Sequence, residues 1–219
     1  MIVATYPSYK NLDPFIDVQA LTALNGFMTR KLRDRLAAAQ DRRFYTGPFL
    51  LSAGAPDRPG SRMIELARSR EPENYYDLDR TEVWEPSPEA AEFAPLMDFI
   101  ATLPFAATGR MLIMYDPDGR AVSAHKDHDS TDLCHEFVWF RTNLSKPFYM
   151  LDPDTQERVY VAGHAAWFDT VNQFHGADAS GELSFSIRVD GVFSDEFRRH
   201  IPFPADNRAA APSVWANAR

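Results

Sequence analysis

The chain has 219 residues, of which 45% are hydrophobic and 13% aromatic, and this composition is typical of one globular domain with its own core. The net charge of −8 argues against broad nucleic-acid binding, and the sequence has no apolar run long enough for a membrane span. The single cysteine, Cys134, excludes an internal disulfide framework and a cysteine-based zinc site. We therefore expect a cytoplasmic protein, with no signal peptide at its N-terminus.

The first part of the chain is predicted to form helices and loops. Asp13 and Pro14 can be the N-cap and first residue of a helix whose leucines recur at helical spacing, with Gly26 as a place where it could break. Residues 42–80 predict long loops with a short helix near Met63–Ala67, because they are rich in glycine, proline and charge. Another helix is expected to begin at residues 87–89, with one apolar face made by Phe93, Leu96, Met97 and Ile100.

From Arg110 onward the pattern changes to short strands separated by turns. Residues 110–115 and 120–127 flank the turn Asp116-Pro117-Asp118-Gly119 and predict a hairpin. A second hairpin is predicted around the turn Asp152-Pro153-Asp154-Thr155, and further strands are expected at residues 135–143, at 165–169, from 174 onward and at 184–193. About eight such strands favour a sandwich or a barrel, and the preceding helices would pack on its outer face.

Two potential metal ligands occur in the segment Ser123-Ala124-His125-Lys126-Asp127. Side chains two residues apart share one face of a strand, so His125 and Asp127 should point the same way. They would supply two ligands of a two-histidine, one-carboxylate triad, which leaves positions on Fe(II) free for a cosubstrate and O₂. The third ligand must come from a distant strand, and His175 is the best candidate.

Other histidines offer alternatives to this assignment. A histidine–X–aspartate pair alone also occurs by chance, and an exposed histidine in a charged turn is the alternative for His125. His128 and Asp129 are rival ligands, although a loop position is expected for both. Surface or supporting roles are expected for His135, His164 and His200.

Arg188 is the candidate anchor for a dicarboxylate cosubstrate. A 2-oxo acid can chelate the metal at one end, and its distal carboxylate is well matched by an arginine, which binds a carboxylate through two hydrogen bonds. Arg188 follows His175 on the next predicted strand and shares a face with Ser186, which could support the same carboxylate. The alternative is a solvent-facing arginine on a half-buried strand.

These residues resemble the Fe(II)/2-oxoglutarate-dependent oxygenase superfamily and, more narrowly, the aspartyl/asparaginyl β-hydroxylase group. The similarity covers roughly residues 108–193 and rests on a series of motifs in the order of that group: Phe140-Arg141-Thr142-Asn143-Leu144, Pro147, Val161-Ala162-Gly163, Trp167-Phe168-Asp169, His175 and Arg188. Two features depart from the group's pattern, since the interval from His175 to Arg188 is longer than usual and Asn143 stands where the group often has histidine.

The resemblance implies a mostly β fold with flanking helices, a double-stranded β-helix or jelly-roll barrel like that of the cupins. In a single domain of residues 1–219, residues 1–107 would form a helical and loop elaboration, 108–193 the β-helix core and 194–219 a C-terminal tail. The resemblance also places Fe(II) on His125, Asp127 and His175, and 2-oxoglutarate on Arg188 with help from Arg141.

The sequence thus predicts a dioxygenase that uses Fe(II), 2-oxoglutarate and O₂ to hydroxylate a C–H bond of an amino-acid-like or peptide substrate, releasing succinate and CO₂. No nucleic-acid or membrane partner is expected. A cupin-type metalloenzyme, either a dioxygenase or an isomerase that does not use 2-oxoglutarate, and a non-enzymatic β-barrel binding module are the alternatives. Residues 70–89, which include Tyr75, Tyr76 and Trp84, could form a lid over the site or a solvated loop.

Overall fold

The structure is a computed structural model, and it describes residues 9–38, 40, 61–71, 78, 80–127, 135–170 and 173–203. Its α-helices are α1 (Val18–Ala23), α2 (Asn25–Ala37), α3 (Ala94–Ile100) and α4 (Asp195–Arg198). Segments of 3₁₀-helix occupy Asp13–Phe15, Thr81–Val83 and Pro88–Phe93. Within the described residues, every helix is too short or too polar to cross a lipid bilayer.

Twelve short strands are present in the described parts of the chain. The first four are β1 (Lys10–Asn11), β2 (Arg62–Glu65), β3 (Ala67–Ser69) and β4 (Trp84–Pro86). The other eight are β5 (Phe105–Asp116), β6 (Val122–His125), β7 (Phe137–Phe140), β8 (Phe148–Leu151), β9 (Arg158–Tyr160), β10 (Ala165–Trp167), β11 (His175–Ala177) and β12 (Ser184–Phe193). These eight agree with the predicted β-rich second half.

The strands form two larger antiparallel sheets and one small pair. The six-stranded sheet has the order β1-β10-β7-β12-β5-β2, and the four-stranded sheet has the order β6-β11-β8-β9. The third sheet consists of β3 and β4 alone. From β5 onward the chain repeatedly crosses between the two larger sheets, and this topology fits the predicted jelly roll.

The helices pack on one face of the six-stranded sheet. Phe99 of α3 contacts Phe140 of β7 with ring centroids 5.5 Å apart. A single apolar core joins the helices to this sheet and includes Leu21, Met28, Leu32, Leu96, Ile113, Ile187 and Val189. The other face turns toward the four-stranded sheet, where Trp139 of β7 stacks on Phe148 of β8 at 4.4 Å. Polar residues on this inner face are therefore enclosed between two sheets.

The predicted hairpin around residues 116–119 is wrong. Strand β5 pairs with β12 and β2, whereas β6 lies in the other sheet and pairs with β11. The turn is bonded to the segment before β12 instead, since the Ser180 N–H donates to the Gly119 carbonyl over 2.8 Å. Gly119 has a φ of 55°, in the left-handed region that favours glycine. The chain leaves this turn toward the second sheet.

Two predictions for the N-terminal half also need correction. The short helix expected near residues 63–67 is wrong, because Arg62–Glu65 is the edge strand β2 and pairs with β5. The first α-helix begins at Val18 with Asp17 as its cap, since the Asp13 carboxylate accepts hydrogen bonds from the backbone of His164 and Ala165. Long-range pairing overrides local propensity in both cases. The second predicted hairpin, β8–β9, is confirmed.

Candidate metal centre

Strands β6 and β11 bring the three predicted metal ligands together. His125 at the end of β6 lies directly opposite His175 at the start of β11, with ring centroids 4.5 Å apart. Asp127 follows two residues after His125 and adds a carboxylate. One ligand atom from each of these three residues lies within 4.8 Å of the other two. Such a spread is small enough for a single metal ion to reach all three after slight adjustment.

Backbone carbonyls orient both imidazole rings. His125 Nδ1 lies 2.9 Å from the Ser123 carbonyl, and His175 Nδ1 lies 3.4 Å from the Gln173 carbonyl. Because a carbonyl oxygen only accepts, each Nδ1 carries a proton, which leaves Nε2 as the nitrogen that a metal could use. The backbone of Asp127 is held in turn, since its N–H donates to the Thr170 carbonyl over 3.0 Å.

The two oxygens of the Asp127 carboxylate face different neighbours. Oδ1 lies 3.4 Å from His175 Nε2 and 3.7 Å from His125 Nε2. Oδ2 accepts a hydrogen bond from Nη1 of Arg188 over 2.9 Å. Burial acts to raise the pKa of Asp127, but His175, Arg188 and His125 outweigh it and hold that pKa well below its usual range. The carboxylate is therefore ionised at neutral pH, as a metal ligand must be.

Aromatic rings enclose the inner side of His175, which is only 5% exposed. Phe168 lies 5.0 Å and Phe148 lies 5.9 Å from the imidazole, measured between ring centroids. His125 and Asp127 are half-buried. His175 is thus shielded from solvent on its inner side, whereas His125 and Asp127 keep partial access to solvent.

Arg188 is buried between the sheets, on the inner face of β12. Its Nη1 donates to Asp127, its Nε donates to Oδ1 of Asp190 over 2.8 Å, and its guanidinium lies 4.2 Å from the ring centre of Phe137. Its remaining nitrogen, Nη2, has no hydrogen-bond partner among the residues that the structure describes. This nitrogen is the donor that a bound anion could use.

Asp190 and Arg110 are site residues that the sequence reasoning missed. Asp190 is fully buried, and its Oδ2 accepts a hydrogen bond from Nε of Arg110 over 2.9 Å. Burial acts to raise the pKa of Asp190, but Arg110 and Arg188 together lower it below the usual range. The sequence does indicate a place for both residues near the site. Asp190 shares a strand face with Arg188, and Arg110 is the first residue of the strand predicted at 110–115.

The other two predicted cosubstrate residues lie in different surroundings. Ser186 is half-buried on the same face of β12 as Arg188, opposite Met114 of β5. Arg141 is buried, and its guanidinium donates to the backbone carbonyls of Lys146, Val161 and Gly163. Arg141 thus ties three loop carbonyls together, and its predicted contact with the cosubstrate stays a prediction.

The other described histidines do not belong to this group of potential metal ligands. His164 Nδ1 contacts the Arg141 carbonyl at 3.1 Å, and the exposed His200 packs 4.8 Å from the ring of Phe15. His135 is buried, and its carbonyl accepts a hydrogen bond from Trp167 Nε1. The rival ligands His128 and Asp129 lie outside the described residues.

The structure describes only part of residues 70–89, for which a lid is predicted. Tyr75 and Tyr76 lie outside the described residues. Trp84 is buried at the start of β4, which pairs with β3. Residues 81–89 therefore consist mainly of 3₁₀-helix and strand, and a lid role for this segment stays a prediction.

The donor set of the centre fits Fe(II). Two imidazole nitrogens and one carboxylate oxygen are the ligand types that non-haem Fe(II) oxygenases use, and His125, Asp127 and His175 would supply them here. Sites with harder cations such as Mg²⁺ use mainly oxygen ligands. The residues present are therefore suited to a redox-active iron ion.

No family model and no curated protein matches this sequence. Among solved structures, the chain is similar to a prolyl hydroxylase from Trichoplax adhaerens in complex with a peptide fragment of the hypoxia-inducible factor oxygen degradation domain. The identity is 11% and the TM-score 0.50, over 88% of this chain and 86% of that chain. At this identity the likeness concerns the fold alone.

Two further solved structures match this chain with lower TM-scores. A Pseudomonas putida prolyl-4-hydroxylase matches with 12% identity and a TM-score of 0.46, over 83% of this chain and 90% of that one. The non-haem α-ketoglutarate-dependent epimerase SnoN from nogalamycin biosynthesis matches with 14% identity and a TM-score of 0.43, over 84% and 75% of the two chains. At these identities and TM-scores the likenesses assign no superfamily to this chain, and the expected superfamily stays a prediction. The aspartyl/asparaginyl β-hydroxylase subgroup stays a prediction.

Proposed function

We propose that this chain is a non-haem Fe(II) dioxygenase that uses 2-oxoglutarate and O₂ to hydroxylate a C–H bond of an amino-acid-like or peptide substrate. The observation that carries the proposal is the convergence of His125, Asp127 and His175, whose ligand atoms all lie within 4.8 Å of one another. A fold similar to that of a solved prolyl hydroxylase supports it. The centre also has the open side that such chemistry needs.

These three residues would hold the iron through His125 Nε2, His175 Nε2 and Asp127 Oδ1. With 2-oxoglutarate alongside, bound Fe(II) supplies oxidation of a substrate C–H bond by O₂, in which one oxygen atom enters the substrate and the other enters succinate as CO₂ leaves. The protein's own groups would orient the metal ligands. The carbonyls of Ser123 and Gln173 orient both rings through Nδ1, so that both Nε2 atoms face Asp127.

Arg188 would orient the cosubstrate. Its guanidinium plane is fixed by Asp190 and by the ring of Phe137, and Nη2, which has no hydrogen-bond partner among the described residues, would donate to a carboxylate. The hydroxyl of Ser186, on the same strand face, is the second donor assigned to this carboxylate. Phe148 and Phe168 on the inner side of His175 would exclude water from the reacting groups.

An amino-acid-like or peptide substrate is supported by the motifs that resemble the aspartyl/asparaginyl β-hydroxylase group, from Phe140-Arg141-Thr142 to Arg188. The Trichoplax prolyl hydroxylase of similar fold was solved with a peptide fragment. A backbone or side chain that offers an unactivated C–H bond beside polar groups fits both observations.

The test is turnover of 2-oxoglutarate to succinate by the Fe(II)-loaded protein, with a library of free amino acids and short peptides as acceptors. His175→Ala and Asp127→Ala should each abolish succinate formation, because each removes one of three ligands. His200→Ala is the matched control, since that exposed histidine lies against Phe15 and should leave turnover unchanged. Full turnover in both ligand variants would exclude this metal centre.

Binding measurements separate the alternatives. Anaerobic addition of 2-oxoglutarate to the Fe(II) protein should produce the visible absorption of an iron–oxo-acid chelate. A cupin-type enzyme that does not use 2-oxoglutarate would bind iron without that absorption. A non-enzymatic binding module would bind no iron tightly.

A further inference from the structure

Four side chains of alternating charge, of which three are buried and Asp127 is half-buried, form a chain of hydrogen bonds at the candidate metal centre. Nε of Arg110 donates to Asp190 Oδ2 at 2.9 Å, and Nε of Arg188 donates to Asp190 Oδ1 at 2.8 Å. Nη1 of Arg188 then donates to Asp127 Oδ2 at 2.9 Å. The formal charges of these four groups cancel, so each of the three buried ions has a partner of opposite charge.

Asp127 can offer only one oxygen to a metal while this arrangement holds. Oδ2 is engaged by Arg188, whereas Oδ1 is the oxygen that faces Nε2 of His175 and of His125. A carboxylate that binds through one oxygen occupies one coordination position instead of two. Arg188 thereby controls how many positions remain for other ligands.

Arg188 depends on Asp190 for its own orientation. An arginine side chain has several rotatable bonds, so a single hydrogen bond to Asp127 would not define the plane of the guanidinium. Asp190 adds a second hydrogen bond at Nε, and the ring of Phe137 supports the flat face at 4.2 Å. Asp190 is itself fully buried and is held in place by Arg110.

We propose that Asp190 is a positioning residue of the metal centre, which acts through Arg188 to hold Asp127 in single-oxygen coordination. The inference rests on the proposed metal ligands and is independent of 2-oxoglutarate and of any substrate. Asp190 would thus influence the metal without binding it. Replacing Asp190 by a neutral group releases Arg188 and leaves an excess positive charge beside the ion.

The experiment uses Co(II) as a spectroscopic probe of the metal-free protein. The affinity follows from an absorption titration, and the intensity of the ligand-field bands reports the coordination number. Asp190→Asn should weaken Co(II) binding by about tenfold or more and change the band intensity, since loss of such a supporting group typically costs this much. An unchanged affinity together with an unchanged spectrum would overturn the inference.

Arg35→Gln is the matched control. Arg35 is buried and makes an ion pair with Glu92 over 2.8 Å, outside the network that reaches Asp127. Its loss should lower thermal stability while the affinity for Co(II) and the spectrum stay at parental values. A purely structural role for Asp190 would produce this same pattern in Asp190→Asn, which would contradict the positioning role.

Arg188→Lys provides a second variant if Asp190→Asn does not fold. A lysine ammonium cannot keep the two fixed hydrogen bonds of a guanidinium, so the spectrum should change in the same direction. A folded Arg188→Lys protein with the parental spectrum and affinity would contradict the inference.

If the parent bound no Co(II), the proposed function and this inference would fail together. If the parent showed Fe(II)-dependent turnover of 2-oxoglutarate but Asp190→Asn kept parental Co(II) binding, only the inference would fail.

Discussion

Arg188 donates a 2.9 Å hydrogen bond to Asp127, although the two residues are 61 positions apart in the chain. The arginine lies on β12 of the six-stranded sheet, and the carboxylate follows β6 of the four-stranded sheet. Their contact joins the two sheets at the point where the three candidate ligands meet. The stability of the fold and the occupancy of the metal centre should therefore be linked.

Metal binding should stabilise the folded protein. A ligand that binds only the native state at about one hundred times its Kd contributes about 2.7 kcal/mol to the free energy of unfolding. Thermal unfolding of the parent should move to higher temperature on addition of Co(II) and return with excess chelator. His125→Ala should lose this shift, whereas His200→Ala should keep it. An equal shift in His125→Ala would place the metal elsewhere.

Gly176→Ala should destabilise the protein and weaken metal binding. Gly176 directly follows His175, and an added Cβ would lie 2.7 Å from both Tyr149 Oη and the Val122 carbonyl oxygen. The backbone of β11 must shift to relieve this contact, at a cost of about 1–3 kcal/mol. Urea unfolding and Co(II) titration measure the two effects.

Gly26→Ala is the comparison for that variant, since an added Cβ at Gly26 would have no neighbour within 4 Å. Alanine is also the better helix former within α2, so this substitution should be neutral or slightly stabilising. A similar loss of stability in both variants would contradict the contact predicted at Gly176.

Arg141→Gln should lower the free energy of unfolding, and its effect on the KM for 2-oxoglutarate tests the cosubstrate contact predicted from the sequence. The guanidinium satisfies the carbonyls of Lys146, Val161 and Gly163 in a buried setting, and loss of these partners should cost about 1–3 kcal/mol. Denaturant unfolding measures the loss of stability, and steady-state kinetics measure the KM for 2-oxoglutarate. A raised KM at unchanged stability would support the cosubstrate role predicted from the sequence.

Asp190 should make the metal-free protein sensitive to acid. Its pKa is lowered in the folded state, because Arg110 and Arg188 outweigh the opposing effect of burial. A carboxyl whose folded pKa is depressed contributes stability above its unfolded pKa of about 3.9 and loses that contribution as the pH falls.

The free energy of unfolding of the parent, relative to that of Asp190→Asn, should therefore be constant between about pH 7 and 5 and should decrease below about pH 4. Urea unfolding across this range measures the difference. A difference that persists unchanged to about pH 3 would show that the Asp190 carboxyl has no lowered pKa in the folded protein.

Several features of the fold and of the candidate site could be predicted because they depend on neighbours along the chain. Side-chain alternation in a strand predicts that His125 and Asp127 point the same way. Their side chains do meet, although β6 ends at His125 and Asp127 is held by the hydrogen bond from its N–H to the Thr170 carbonyl. The turn at residues 152–155 is short and polar, and the strands beside it pair with each other as β8 and β9. His175 was proposed as the third ligand from its order before Arg188, and it lies opposite His125 in the structure.

Other features depend on partners that are distant in the chain, and only the tertiary structure shows them. The turn at residues 116–119 has the composition of a hairpin turn, yet β6 pairs with β11 because the chain crosses to the second sheet. Arg188 was expected to face a ligand, and it also bonds to Asp127 and Asp190. Strand alternation defines which face a side chain occupies, but the group that it meets is decided by how the two sheets stack.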